Sequence, residues 1–219
     1  MICYGKRVRT TNNVAEIVQA VVARIEEKTT VEVEASARHI HLDIATVEKL
    51  FGKGFRLQQT RPLSQPGQFV SQVRLTLIGP KGRLENVAVL GPERSQSQVE
   101  LSYTDAMQLG LQPPLRESGM IEDTPGITLS NGEKKVDVDL TSGVIIAQRH
   151  IHMTPTDAEL LNLKNGEVVK VKVDGPRRLI FDEVVIRVSE KFATKMHIDF
   201  DEANACAYHK GMRGLIIKE

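Results

Sequence analysis

Apolar residues Val14, Ile17, Val18, Val21, Val22 and Ile25 recur at steps of three and one. That is the spacing of one helix face, so residues 14–25 are predicted to form an amphipathic helix ending near Lys28. From Thr29 the pattern changes to short runs of β-branched and apolar residues at 31–41, 70–78, 83–90, 98–102, 136–140, 143–152, 167–173, 178–188 and 195–198. Turn residues separate these runs, which predicts short strands arranged as a barrel or sandwich. Two short helices are expected among them. Asp43 and Thr154 stand in N-cap position directly after the runs ending in His41 and His152, and Pro155 follows at the first turn of the second helix.

The chain repeats itself. Arg38-His39-Ile40-His41-Leu42 returns as Arg149-His150-Ile151-His152-Met153, 111 positions later. Residues 89–106 align with 186–203 at an offset of 97, matching Glu93 with Glu190, Arg94 with Lys191 and Ala106 with Ala203, and setting Glu100 opposite His197. The turn Gly79-Pro80-Lys81 is echoed by Gly175-Pro176-Arg177, and a longer segment around 56–68 in the first copy accounts for the change of offset. This duplication divides the chain into an arm and helix (1–30), a first repeat (31–125) and a second repeat (126–219).

On a strand, side chains at i and i+2 share a face, so each His-x-His aims two imidazoles at one point. One such tripeptide would be an ordinary pair of surface histidines; two, holding four of the chain's six histidines, argue for metal binding. The first half offers His39, His41 and Glu100, and the second offers His150, His152 and His197. Three histidines with an open position suit a Lewis-acid zinc ion, and two histidines with a carboxylate suit zinc or iron(II).

Composition narrows the remaining classes. With 219 residues, 41% of them hydrophobic, the chain can bury a substantial core, and a formal net charge of +1 leaves no electrostatic footprint for nucleic acid. Cys3 and Cys206 form neither a disulfide framework nor a cysteine zinc motif, so a reducing compartment is expected. No apolar run reaches membrane-spanning length and no secretory leader is evident, so no membrane partner is expected. The apolar stripe from Val14 to Ile25 either packs on the main body or addresses the chain to another protein; Glu16, Glu26 and Glu27 argue against a mitochondrial presequence.

RHIHL and RHIHM, the segment Leu77 to Arg83, Val89-Leu90-Gly91-Pro92 followed by Arg94, Gln98-Val99-Glu100, Lys195-Met196-His197-Ile198-Asp199 and Asp201-Glu202-Ala203-Asn204 occur in order. Together they resemble the phosphate propanoyltransferases of the propanediol-utilisation type, phosphotransacylases associated with bacterial microcompartments. The resemblance implies a mainly β fold of two tandem β-barrels capped by short α-helices, and the reaction acyl-CoA + phosphate ⇌ acyl phosphate + CoA. It implies two zinc ions per chain, one at His39, His41 and Glu100 where the CoA sulfur arrives, the other at His150, His152 and His197 with positions left for water or substrate. It further implies Arg94 as the phosphate-binding arginine, and CoA contacts at Ala35, Ser36, Ala37, Lys81 and Asn204. Family members commonly carry a basic residue where this chain has Ala88. The helix ahead of the first barrel would then be an encapsulation peptide for a microcompartment shell or cargo protein, placing the enzyme in the microcompartment lumen or the cytoplasm; a homo-oligomer is compatible with this and not specified by the sequence. Two other readings use the same residues: an iron-dependent oxygenase built on His39, His41 and Glu100, and a non-catalytic metal-binding scaffold module.

Overall fold

The computed structural model describes residues 14–19 and 29–218. Residues 14–19 are helical, with Val14, Ile17 and Val18 exposed, and the rest of the expected N-terminal helix lies outside the described residues. From Thr30 onward the chain forms fifteen strands and four short helices, in the order β1 (Thr30–Ala35), β2 (His39–Asp43), α1 (Ile44–Phe51), β3 (Gln59–Pro62), β4 (Phe69–Ile78), β5 (Arg83–Arg94), β6 (Gln98–Leu101), α2 (Tyr103–Leu109), β7 (Leu115–Arg116), β8 (Ile127–Asn131), β9 (Val136–Leu140), β10 (Val144–Ala147), β11 (His150–Met153), α3 (Pro155–Leu160), β12 (Val168–Val173), β13 (Leu179–Val188), β14 (Lys195–Ile198), α4 (Phe200–Ala205) and β15 (Arg213–Ile217). The fold is mainly β, as the sequence pattern indicates.

Six strands close into a barrel in the order β1-β14-β11-β13-β12-β15, and the other nine make a curled half-barrel sheet, β7-β10-β6-β2-β5-β4-β8-β9 with β3 beside β4. The repeat is visible in this order. In the half-barrel β2 lies between β5, to which it is parallel, and β6, to which it is antiparallel; in the barrel β11 stands in the same way between β13 and β14.

Two expected strands differ from the pattern. The run 31–41 breaks into β1 and β2, and the run 143–152 breaks into β10 and β11. Each break is a crossing between sheets: β1 pairs in parallel with β14 of the barrel, while β10 pairs in parallel with β6 of the half-barrel. The strand just ahead of each His-x-His thus pairs in the sheet that holds the other His-x-His, and β8 and β9, which fall within 126–219, also lie in the half-barrel. Glu34 stands opposite His197 and Ile145 opposite Glu100, so the strand lent by each repeat lies beside the third candidate ligand of the other. The cores follow these crossings. Val31 and Val33 are buried with Ile151, Met153, Val171 and Met196, whereas Val144 and Ile146 are buried with Ile40, Leu42, Val89 and Val99.

The helices cap these cores and are started by the residues expected. The Asp43 carboxylate accepts the Thr46 N–H at 2.8 Å, and the Thr154 hydroxyl accepts the Asp157 N–H at 3.1 Å with Pro155 in the first turn. Helix α1 buries Val47, Leu50 and Phe51 against the half-barrel. Helices α2 and α4 each open with a capping box, Ser102 with Asp105 and Asp199 with Glu202. No described helix is long and apolar enough to cross a membrane.

Candidate active site

His39 and Glu100 face each other directly across β2 and β6, and their repeat equivalents His150 and His197 face each other across β11 and β14. The strand pleat adds His41 and His152 on the same faces. In the first cluster His39 Nε2 lies 3.4 Å and His41 Nε2 4.0 Å from Glu100 oxygens. A tetrahedral zinc with ligands at about 2.0–2.2 Å holds its donors about 3.3 Å apart, so only a small contraction would be needed. In the second cluster the ring centroids are 4.5 Å (His150–His152), 4.9 Å (His152–His197) and 5.3 Å (His150–His197) apart.

Among the described residues only His39, His41 and Glu100 bring their donor atoms within 4.8 Å of one another, so the second cluster would have to contract further to hold a metal. His39 Nδ1 lies 2.8 Å from the Ala37 carbonyl and His150 Nδ1 lies 2.8 Å from the Gln148 carbonyl, contacts that fix the Nδ1–H tautomer and free each Nε2. His41 Nδ1 and His152 Nδ1 are buried with no hydrogen-bond partner. Orphaned buried polar atoms are costly, and a metal would offset that cost where the ring ligates through Nδ1 itself.

Glu100 is held from its far side. Its Oε1 accepts from the Gln98 amide at 2.6 Å and from the Ser118 hydroxyl at 2.9 Å, leaving Oε2 toward His39. Burial alone would push its carboxyl up, but His39, its hydrogen bond, His41 and Ser118 outweigh burial and hold it well below the usual range. Burial likewise pulls His39 down, yet the Glu100 charge and hydrogen bond raise it above its ordinary value. His41 is lowered well below that value by burial and then by His39 and Arg94. In the second cluster burial, followed by neighbouring positive charge, brings His152 to about 2 and His197 to about 3. Glu100 is therefore held anionic and His41, His150, His152 and His197 neutral, the forms that bind metal, whereas His39 would have to release its proton to ligate.

One cleft joins the clusters. It is lined by His39 and Glu100 of the first, His150 and His197 of the second, and the crossing segments Ser36 to Arg38 and Ala147 to Gln148. Arg94 ends β5, where it donates to Ser118 Oγ at 3.1 Å and sits close enough to Glu100 to feel its charge. Its repeat counterpart Lys191 is exposed.

The residues expected to touch CoA are dispersed. Ser36 and Ala37 lie on the cleft, although the Ser36 N–H already donates to the Ile198 carbonyl and the Ala37 carbonyl already meets His39. Ala35 ends β1 opposite Ile198. Lys81 and Asn204 are exposed, on the β4–β5 turn and on α4, and do not line the cleft. Ala88 stands opposite His39 across β2 and β5.

Three site residues escaped sequence reasoning. Gln65, buried in the longer segment of the first repeat, bonds the backbone of Ala193 in both directions and places its amide nitrogen 3.2 Å from His197 Nε2. Ser118 links Arg94 to Glu100. Arg187 stands opposite His152 across β11 and β13, 3.8 Å from Glu117, and its charge reaches Arg94, His150 and His152. The position of Gln65 in the segment that breaks the repeat offset was the one available signal.

Residues 30–209 match the family model described as phosphate propanoyltransferase. A phosphate propanoyltransferase of Enterococcus faecalis is 56% identical over 205 residues, covering 93% of this chain and 96% of the relative. One from Listeria monocytogenes is 52% identical, covering 94% and 96%, and one from Thermotoga maritima is 47% identical, covering 92% and 95%. Because the matched region contains all six candidate ligands, and the agreement extends over nearly the whole of each relative, the chain belongs to the phosphate propanoyltransferase family and is an acyltransferase.

Proposed function

We propose that this enzyme interconverts acyl-CoA and phosphate with acyl phosphate and CoA, acting on propanoyl or another short acyl group at a site that holds two zinc ions. The observation that carries this reading is the single cleft onto which donors of both clusters open, with the Arg94 guanidinium beside it. His39, His41 and Glu100 would hold one ion and His150, His152 and His197 the other. When bound, the metals supply Lewis-acid polarisation of the thioester carbonyl and neutralise the leaving thiolate.

The chain's own groups do the rest. Arg94 and Arg187 are forks that match phosphate oxygens, and Ser118 ties Arg94 to Glu100, which lines the cleft. A hollow of about 270 Å³ beside Arg187, Glu117 and Phe192 gives an anion room on that side. An oxygen of hydrogen phosphate forms the new C–O bond, the C–S bond breaks, and the proton that the phosphate gives up passes to the thiolate as CoA leaves. Orientation of two anionic partners is the main task, and the paired guanidiniums serve it. An oxygenase using only His39, His41 and Glu100 leaves Arg94 and the second cluster without a task and is not favoured.

The helix over residues 14–19 exposes Val14, Ile17 and Val18, which supports an addressing role toward a microcompartment shell or cargo protein. One experiment tests both parts. Purified full-length chain should contain about two zinc ions and release thiol from propanoyl-CoA only when phosphate is present; a chain lacking residues 1–28 should keep that activity and lose shell recruitment. Substoichiometric metal in an active sample would overturn the two-metal reading, phosphate-independent thiol release would overturn the reaction, and an inactive truncation would overturn the addressing role.

A further inference from the structure

Each candidate metal cluster stands at the open end of a strand pair. The antiparallel pairing of β2 with β6 runs from His41–Gln98 to His39–Glu100 and stops there, and that of β11 with β14 runs from His152–Lys195 to His150–His197 and stops there. Before His39 and before His150 the chain departs to the other sheet. The ladder therefore does not continue past the two residues whose spacing a metal would sense most.

A second tie closes each end. Arg38 Nη1 meets Asp105 Oδ1 at 2.5 Å, and Arg149 Nη1 meets Glu202 Oε1 at 2.7 Å. The two acids are equivalent in the repeat. Each is the third helical residue of its capping box, and each box begins two residues after a candidate ligand: Ser102 after Glu100, Asp199 after His197. A loop of bonds thus runs from Glu100 through Ser102 and Asp105 to Arg38 and back to His39, and it recurs from His197 through Asp199 and Glu202 to Arg149 and His150. The carbonyls that orient the first imidazoles, Ala37 and Gln148, precede these arginines directly. Exposed ion pairs contribute little, but the side chains of Asp105 and Glu202 are only 8% and 19% exposed.

We propose that Arg38 and Arg149 are positioning residues, each fixing the distance between the first and third donors of its own metal site through the capping acid of the following helix. This rests on the reading of both clusters as metal sites. The two ties differ in redundancy. Arg149 also donates to the Asp182 carbonyl at 2.6 Å and lies over the Phe181 ring, whereas Arg38 shows only the Asp105 tie among the described residues.

The test uses full-length chain stripped of metal and titrated with cobalt(II), whose visible absorption reports ligand geometry. Wild type should take up two ions. Arg38→Gln should weaken one of them about 10–100-fold, the usual effect of losing an outer-shell partner, and alter its spectrum while the other is unchanged. Arg149→Gln should do the converse, and Arg38→Lys should restore part of the loss. If Arg38→Gln does not fold, Asp105→Asn keeps an acceptor for the cap and should weaken the same site. Wild-type protein that binds no cobalt overturns the metal reading, and the proposal with it. Wild type binding two ions while Arg38→Gln, or Asp105→Asn in its place, keeps both at unchanged affinity and spectrum overturns the proposal alone, as does equal weakening of both sites.

Discussion

Arg94 and Lys191 occupy equivalent positions in the repeat yet live in different surroundings, and the difference is testable. Arg94 is partly buried, with its guanidinium on Ser118 and the Glu100 charge nearby, whereas Lys191 is exposed. Loss of one preorganised charge partner at a reacting centre costs on the order of 10²–10³ in rate. Arg94→Ala should fall by that amount with phosphate dependence most affected, Arg94→Lys should recover part of it because lysine lacks the fork, and Lys191→Ala should be mild. Steady-state kinetics with varied phosphate would check this; equal damage from both alanine variants would make the two halves equivalent. At this scale the histidines were legible because a two-residue period and a repeat both mark them. Gln65 was not, since it reaches His197 across 132 positions of sequence through a loop whose path no pattern gives. Arg187 lay within an expected strand, but its register opposite His152 is set by packing of the whole barrel.

The elements carry a subtler signal in the phase of burial. Val31 and Val33 are buried in one core, then Ile40 and Leu42 in the other; Val144 and Ile146 give way to Ile151 and Met153 in the same manner. Membership of the two apolar cores shifts between odd and even positions across 36–38 and across 148–149, where the chain changes sheets, although both faces of β2 and of β10 are buried. Because strand side chains alternate with a period of two, such a shift cannot occur within one regular strand. The runs 31–41 and 143–152 therefore held the break, at Ser36 to Arg38 and at Gln148-Arg149. The Gly79-Pro80-Lys81 motif also has a structural reason. The Lys81 N–H donates to the Leu109 carbonyl at the end of α2, and a Cβ on Gly79 would lie 2.4 Å from that same oxygen. Gly79→Ala should accordingly destabilise the protein by about 1–3 kcal/mol, seen as a lower urea midpoint; an unchanged midpoint would show that the turn can withdraw from the helix.

At the scale of the whole molecule, stability and pH are linked through the second cluster. His150, His152 and His197 are held below their ordinary value, chiefly by burial, with His152 near 2 and His197 near 3. Once the pH falls below about 6.5 the unfolded chain binds protons that the metal-free folded chain refuses, so stability declines by up to about 1.4 kcal/mol per pH unit for each group. The raised His39 contributes stability that is lost only as pH rises through its folded value, and the depressed Glu100 contributes stability lost only as pH falls below the ordinary carboxylate range. Neither changes much between the two ordinary values. Asp199, raised to about 6 by burial, opposes the trend with one group. In chelator, urea unfolding should show stability falling as pH decreases through this window, and His197→Asn should flatten the slope by up to one proton's worth. A variant with the wild-type slope would show that His197 titrates normally.

The crossing of β1 into the barrel also constrains the order in which the molecule can be made. During synthesis from the N-terminus, β1 emerges first but has its partners in β14 and β15, so it must remain unpaired until nearly the whole chain has left the ribosome. The half-barrel, for its part, lacks β10 until residue 147 is available. The half-barrel, whose nine strands all lie within residues 39–147, can finish first, whereas the barrel needs both β1 and the strands after residue 150. A nascent chain of this protein should therefore assemble the His39, His41 and Glu100 cluster first and the His150, His152 and His197 cluster last, with β1 in the interval an exposed strand edge that nearby chains could capture.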